Sequence, residues 1–283
     1  MKPDIDLNSP YAKQAISAAQ KLAKIALEAA EQNVEKAVIP IYHIPDGKRA
    51  EQIASGVLLK IKSEYFILSA SHVFDQIGDH AILTGDGMSS GVQALIGDRF
   101  SSSRGKSGTH ADDLVDASVF HIQCGISEQL KSYALSIEDF DNSSYPCSWM
   151  DPFLASGFRI KESNTANNAI HSKREAFPTS AVRENNYALL GLDPSISIAL
   201  WFEEQVLMEQ KWQLSPIPRG FSGGAIIRIV EFLTPQGIAY RQLLSGIITE
   251  HRKKNKDIDG TLIGTRIAVH MAILKRYMPE LFE

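Results

Sequence analysis

Cysteine is nearly absent from this chain, with two residues, Cys124 and Cys147, among 283. Two thiols are too few for the disulfide framework that staples small secreted domains, so two free, buried thiols are expected, with a single bridge between them left open. No run of about 18 apolar residues occurs, which excludes a transmembrane helix. The N-terminus carries Lys2, Asp4 and Asp6 but has neither the apolar core nor the small-residue cleavage site of a signal peptide. The expectation is a cytoplasmic protein with no membrane role. An excess of one charge is lacking too. Lys and Arg number 29 against 33 Asp and Glu, a net charge of −4, and the pI is near 6.1. The one basic run, Arg252-Lys253-Lys254-Asn255-Lys256, is followed at once by Asp257 and Asp259. No electrostatic case for nucleic acid remains. The histidines and cysteines show no zinc-type spacing, so neither a metal nor another cofactor is expected.

What is present suits a globular chain of one or two domains, at 44% hydrophobic and 22% charged residues. Residues 9 to 36 read as one helix, rich in Ala, Lys, Gln and Glu, with Ser9-Pro10 as its start. Ile16, Ala19, Ala23, Leu27, Ala30 and Val34 recur at three- and four-residue steps, a narrow apolar stripe. It either packs on the body of its own chain or serves an activating partner or self-association. From Ala37 the pattern turns to short strands: Val38 to Tyr42, Gly56 to Ile61, Tyr65 to Ala70, Ala81 to Thr84, Val92 to Ile96 and Ala117 to Ile122. A second set follows: Phe153 to Phe158, Ile196 to Phe202, Val206 to Leu214, Ala225 to Val230, Ile238 to Ile248 and Leu262 to Ile267. A helix from about Ala268 to Tyr277 ends the pattern. Short strands broken by Asp-Gly, Ser-Gly and Lys-Ser pairs suit β-barrels.

Three segments carry chemistry. Gly220-Phe221-Ser222-Gly223-Gly224 lies between a polar loop and the apolar run Ala225-Ile226-Ile227-Arg228-Ile229-Val230. Glycines around a serine let backbone N–H groups crowd toward one oxygen, as an oxyanion hole requires. Tyr65-Phe66-Ile67-Leu68-Ser69-Ala70-Ser71-His72 is an apolar strand delivering a histidine just past its end, a rigid yet open place for a general base. Asp116 opens the strand Ala117-Ser118-Val119-Phe120-His121-Ile122, where a carboxylate can orient an imidazole. Asp112 and Asp113 lie close enough to compete for that role, but only Asp116 directly opens an apolar strand. The other histidines, His43, His80, His110, His121, His171, His251 and His270, read as ordinary surface or core residues.

The order His72, Asp116, Ser222 and the three local motifs resemble the trypsin/chymotrypsin family of serine peptidases, in particular its stand-alone intracellular bacterial members. The resemblance covers residues 37 to 280, including Ala54-Ser55-Gly56-Val57-Leu58 before the histidine strand, Phe153-Leu154-Ala155-Ser156-Gly157-Phe158, Leu243-Leu244-Ser245-Gly246-Ile247-Ile248 and Gly264-Thr265-Arg266-Ile267. It implies an all-β fold of two six-stranded antiparallel barrels with N- and C-terminal helices. Residues 1–36 would be a helical extension, 37–125 the first barrel with His72 and Asp116, 126–150 a crossover, and 151–283 the second barrel with Ser222 and the final helix. It implies peptide-bond hydrolysis by a Ser222-His72-Asp116 triad on a protein or peptide substrate. Gly220 and Ser222 N–H groups would form the oxyanion hole. By the same resemblance, Pro216, Thr249, Glu250 and His251 line the specificity pocket. No acid stands at Pro216, which argues against a demand for Lys or Arg and favours a small or apolar residue, although Glu250 could draw a basic one. One departure stands out: zymogen-activated members carry an aspartate just before the nucleophile, and here that place is Phe221. The activation salt bridge cannot form that way. The alternative from another class is a catalytically silent barrel pair used as a binding scaffold.

Overall fold

In this computed structural model the described residues are 10, 17–18, 21–22, 24–25, 28 and 33–283, except 46–48, 87–90, 144–150, 167–168, 203–204, 209–210, 215–216, 236, 255 and 257–258. Six antiparallel strands, Val38–His43 (β1), Glu51–Ile61 (β2), Glu64–Ser69 (β3), Ile82–Thr84 (β4), Gln93–Ser101 (β5) and Ser118–Cys124 (β6), close into a barrel in the order β1-β2-β3-β6-β5-β4. Strand β2 is buried continuously from Ala54 to Leu59 instead of alternating. One of its faces fills the barrel and the other meets the second half of the molecule, so β-branched and small residues serve on both sides.

The second half is a six-stranded antiparallel sheet built from Pro152–Phe158 (β7), Arg174–Ser180 (β10), Ser197–Trp201 (β11), Ala225–Thr234 (β14), Gly237–Arg252 (β15) and Thr261–Arg266 (β16), in the order β10-β7-β14-β15-β16-β11. It curls until its edges approach, joined by the Ala181–Leu200 bridge and the Val182 N–H to Ala199 carbonyl bond. The all-β fold of two six-stranded barrel-like sheets with a C-terminal helix, Ile267–Tyr277, is therefore present. Two small hairpins stand apart: Asn164–Ala166 (β8) with Ala169–His171 (β9), and Gln205–Met208 (β12) with Lys211–Leu214 (β13).

Three differences from the sequence reading have physical causes. The run Val206 to Leu214 is the β12–β13 hairpin, and Arg174–Ser180 takes the place in the large sheet that this run was expected to fill. Charges at Arg174 and Glu175 and a proline at 178 disguise that strand, yet Pro178 is tolerated because the ladder lies on one side, against β7. After His72 the chain continues as a short helix, Ser71–Ile77, with Val73, Phe74 and Ile77 turned inward. Cys124, expected as a buried thiol, is free and exposed at the end of β6; Cys147 lies outside the described residues.

One large apolar cluster fills the first barrel and runs across to Leu154, Phe158, Ala225, Ile227 and Leu244 and to Leu274 of the final helix. A second, with Phe153, Ile198, Phe202, Phe221, Ile226 and Ile248, fills the second barrel. The crossover binds both halves: Leu135 bridges to Leu59 and Phe140 to Leu244. Of the N-terminal helix, the described residues are helical, and Ile25 is buried in the large cluster; Ile16, Ala19, Ala23, Leu27 and Ala30 of the apolar stripe lie outside the described residues, while Val34 is buried.

Candidate active site

The short helix after β3 starts at Ser71 with Ala70 in the N-cap position, where an alanine side chain can accept nothing. Asp116, just ahead of the neighbouring strand β6, supplies the missing acceptors: its carbonyl takes the Ser71 N–H at 3.3 Å and its Oδ1 takes the His72 N–H at 2.9 Å. The same carboxylate reaches the imidazole, with Oδ2 2.6 Å from His72 Nδ1. Main chain and ring of His72 are thus fixed by one side chain. An ionised carboxylate only accepts, so Nδ1 carries the proton and Nε2 is left as an acceptor.

Asp116 itself adopts φ of +44°, a left-handed conformation uncommon outside glycine but best tolerated by Asn and Asp. Its neighbours hold it there. Thr265 Oγ1 of β16 donates to the Val115 carbonyl, and Ala117 N–H donates to Ser102 Oγ at 3.1 Å. The polar loop before it is pinned by a second His–Asp pair, with His110 N–H and Nδ1 on Asp75 Oδ2 at 2.8 and 2.9 Å and His110 Nε2 on the Ser102 carbonyl at 3.0 Å. The competing acids are occupied elsewhere: Asp113 bonds Ser102 and the Val115 N–H, and Asp112 bonds Ser107.

The Ser222 loop is a nearly closed backbone ledger. The Arg219 carbonyl accepts from Ile160 N–H at 3.0 Å, the Gly220 carbonyl from Ser55 Oγ at 2.9 Å, the Phe221 carbonyl from Gly224 N–H at 2.7 Å and the Ser222 carbonyl from Ser55 N–H at 2.8 Å. Phe221 N–H is spent on Pro218 and Gly223 N–H on Ile248, at 3.1 and 2.7 Å. The N–H groups of Gly220 and Ser222 have no acceptor among the described residues. In a trans peptide the carbonyl and N–H point opposite ways, so fixing the Arg219 and Phe221 carbonyls also fixes where these two donors point. Gly220 and Gly223 adopt φ of +100° and +82°, and a Cβ on Gly223 would lie 1.9 Å from the Ser55 carbonyl oxygen and 2.1 Å from Ser69 Oγ. Only glycine fits there.

That close approach seats the Ser222 loop against the end of β3, three residues before His72. Ser222 is partly exposed while Gly220, Phe221 and Gly223 are buried, and its Oγ makes one long contact, 3.5 Å to the Thr249 carbonyl, and none to His72. The fold brings the three candidate segments together.

Ser55 was not legible as a site residue. It clamps the loop from the other barrel with both its N–H and its hydroxyl, accepts the Phe158 N–H at 2.9 Å, and is itself braced by Ser69 Oγ on its carbonyl at 3.0 Å. No local pattern marks a serine for such a role. Of the residues expected in the specificity pocket, Thr249 sits beside Ser222 with its own Oγ1 on the Ile263 carbonyl at 3.3 Å. Glu250 pairs with Arg252 at 2.9 Å, and the His251 ring stands edge-on to Phe202 at 4.9 Å. Pro216 lies outside the described residues. Among the other histidines, His121 bonds Glu64 at 2.7 Å, while His270 is fully buried, donates from Nε2 to the Ser69 carbonyl, and is lowered by that burial to about 4.

No protein-family model matches this chain, and no curated protein sequence matches it. Among solved structures it resembles neuropsin, a serine protease expressed in the limbic system of mouse brain, with a TM-score of 0.54 at 13% identity over 86% of this chain and 95% of that one. The fold is that of the trypsin-like serine proteases.

Proposed function

We propose that this protein is a serine endopeptidase. The observation that carries the reading is the double grip of Asp116 on His72, at 2.9 and 2.6 Å, beside a serine loop in which the N–H groups of Gly220 and Ser222 have no acceptor among the described residues. Ser222 Oγ attacks a peptide carbonyl while His72 Nε2 takes its proton, and the oxyanion of the tetrahedral intermediate settles on the Gly220 and Ser222 N–H groups. His72 then returns the proton to the leaving amine. Water enters, loses a proton to His72 and attacks the acyl–Ser222 ester; collapse frees the carboxylic acid and restores the serine hydroxyl. The imidazole charges during each step, and the adjacent carboxylate offsets that charge without itself taking the proton.

The substrate in this reading is a protein, cut at one or a few sites by a cytoplasmic, bacterial-type enzyme whose activity is controlled by a partner, by self-association through the N-terminal helix, or by its own loops. With Glu250 paired to Arg252, a small or apolar side chain is the preferred residue at the cut. The test is cleavage of a peptide library with sequencing of the new amino termini. Cuts made by wild type and lost in Ser222→Ala and His72→Ala support the reading. Hydrolysis of esters with no peptide cut, or cuts that survive Ser222→Ala, overturn it, and a well-folded protein that cleaves neither is the scaffold alternative.

A further inference from the structure

Resting on that reading, we infer that Phe221 is the positioning residue that holds the oxyanion loop in its working shape, an apolar anchor in place of an ion pair, so that the site stands ready without cleavage of the chain. Phe221 is 1% exposed and belongs to the core of the second barrel, with Phe153, Ile198, Ile226 and Ile248. Its ring lies 5.4 Å from that of Phe177 on β10 and rests on the backbone of Gly157 at the end of β7, where a Cβ would come within 2.9 Å of Phe221 Cγ. The two residues on either side of it supply the two unspent N–H donors. Drawing the ring inward sets the Phe221–Ser222 plane, which carries the Ser222 N–H, through the Phe221 carbonyl tied to Gly224; the Gly220–Phe221 plane is tied through the Phe221 N–H to Pro218, and the Gly220 N–H follows one plane further on, held through the Arg219 carbonyl on Ile160 N–H.

The device is apolar throughout. The contacts recorded for Phe221 are with aromatic, aliphatic and backbone atoms. Packing of this kind forms as the barrel folds, since the hydrophobic gain and the order of the loop arrive together. Residue 177 contributes from β10, the strand disguised in the sequence, so the anchor is assembled from three separated segments.

The experiment compares wild type, Phe221→Ala, Phe221→Leu and Gly157→Ala, each confirmed folded by a cooperative melt well above the assay temperature. Two quantities are read: the rate of Ser222 acylation by a fluorophosphonate, and amide hydrogen exchange of the peptide containing residues 219–224. The inference predicts that Phe221→Ala and Gly157→Ala lose about 100-fold or more in acylation rate, the scale of a lost oxyanion donor, with KM for a peptide ester changed less than threefold. Phe221→Leu, which keeps apolar bulk, returns to within about tenfold. Exchange of the 219–224 amides rises in the Ala variants while that of β2 and β3 stays as in wild type. A folded Phe221→Ala that exchanges as wild type does in this loop overturns the anchor, whatever its activity. An unreactive wild type whose loop loosens in Phe221→Ala leaves the anchor standing and counts against the peptidase reading instead.

Discussion

Replacing Asp116 by asparagine tests the orientation of His72 at the level of single protons. The carboxylate serves two donors at once, the His72 backbone N–H at Oδ1 and Nδ1 at Oδ2. A backbone N–H can only donate, so in Asp116→Asn the amide oxygen must stay at the Oδ1 position, and the NH₂ group is forced to face Nδ1. The imidazole then has to offer Nδ1 as an acceptor, which places its proton on Nε2, the atom that should receive the proton of Ser222. The side chain keeps its size and its bond to the helix start, so the fold is retained while the base is turned into the wrong tautomer. The expected loss is about 10⁴-fold in kcat, about 5 kcal/mol of barrier, with little change in melting temperature. The assay is steady-state hydrolysis of a peptide ester, with circular dichroism melting as the control. A variant that keeps kcat within tenfold of wild type at neutral pH refutes the reasoning, because it would mean that the carboxylate does not set the tautomer.

Removal of the Ser55 hydroxyl in Ser55→Ala strands the buried Gly220 carbonyl and Phe158 N–H, so denaturant unfolding should show a loss of about 1–3 kcal/mol, together with slower acylation of Ser222. Gly223→Ala drives a methyl into the Ser55 carbonyl oxygen and should cost about 3 kcal/mol or more, whereas Gly191→Ala, with φ of +65° but nothing within 4 Å, should cost only about 1 kcal/mol; a similar loss in both would contradict the clash argument. His270 is neutral when folded, with its ordinary 6.5 lowered to about 4 by burial, so the unfolded chain binds the extra proton between those values. Stability is therefore full above about 6.5 and falls toward pH 4, by about 3 kcal/mol from this group, and urea titrations across that window should show the fall shrinking in His270→Phe.

The local patterns of the candidate site, each confined to a few consecutive residues, were visible in the sequence. The strand that delivers His72, the glycines around Ser222 and the aspartate opening β6 are each local patterns, and their convergence followed from the fold that those patterns share. What escaped was assembled from afar. Ser55 belongs to a strand whose local pattern gives no hint that one of its faces meets the Ser222 loop of the other barrel. The β10 strand carries two charges and a proline, all acceptable where one ladder suffices. Ser102 and His110, from the polar loop ahead of Asp116, and Thr265, from β16, keep Asp116 in its left-handed conformation, and no spacing could link the two segments. Phe221 packs on Gly157 and Phe177, two residues from distant segments that no local pattern connects to it.

The central claim, that Ser222 is an activated nucleophile in a preformed oxyanion hole, is tested most directly by reacting the purified, uncleaved chain with a fluorophosphonate and mapping the adduct by mass spectrometry. A single adduct on Ser222 is expected, absent from Ser222→Ala and strongly reduced in Asp116→Asn. An intact, folded protein that takes up no reagent, or whose labelling survives Ser222→Ala, would contradict it.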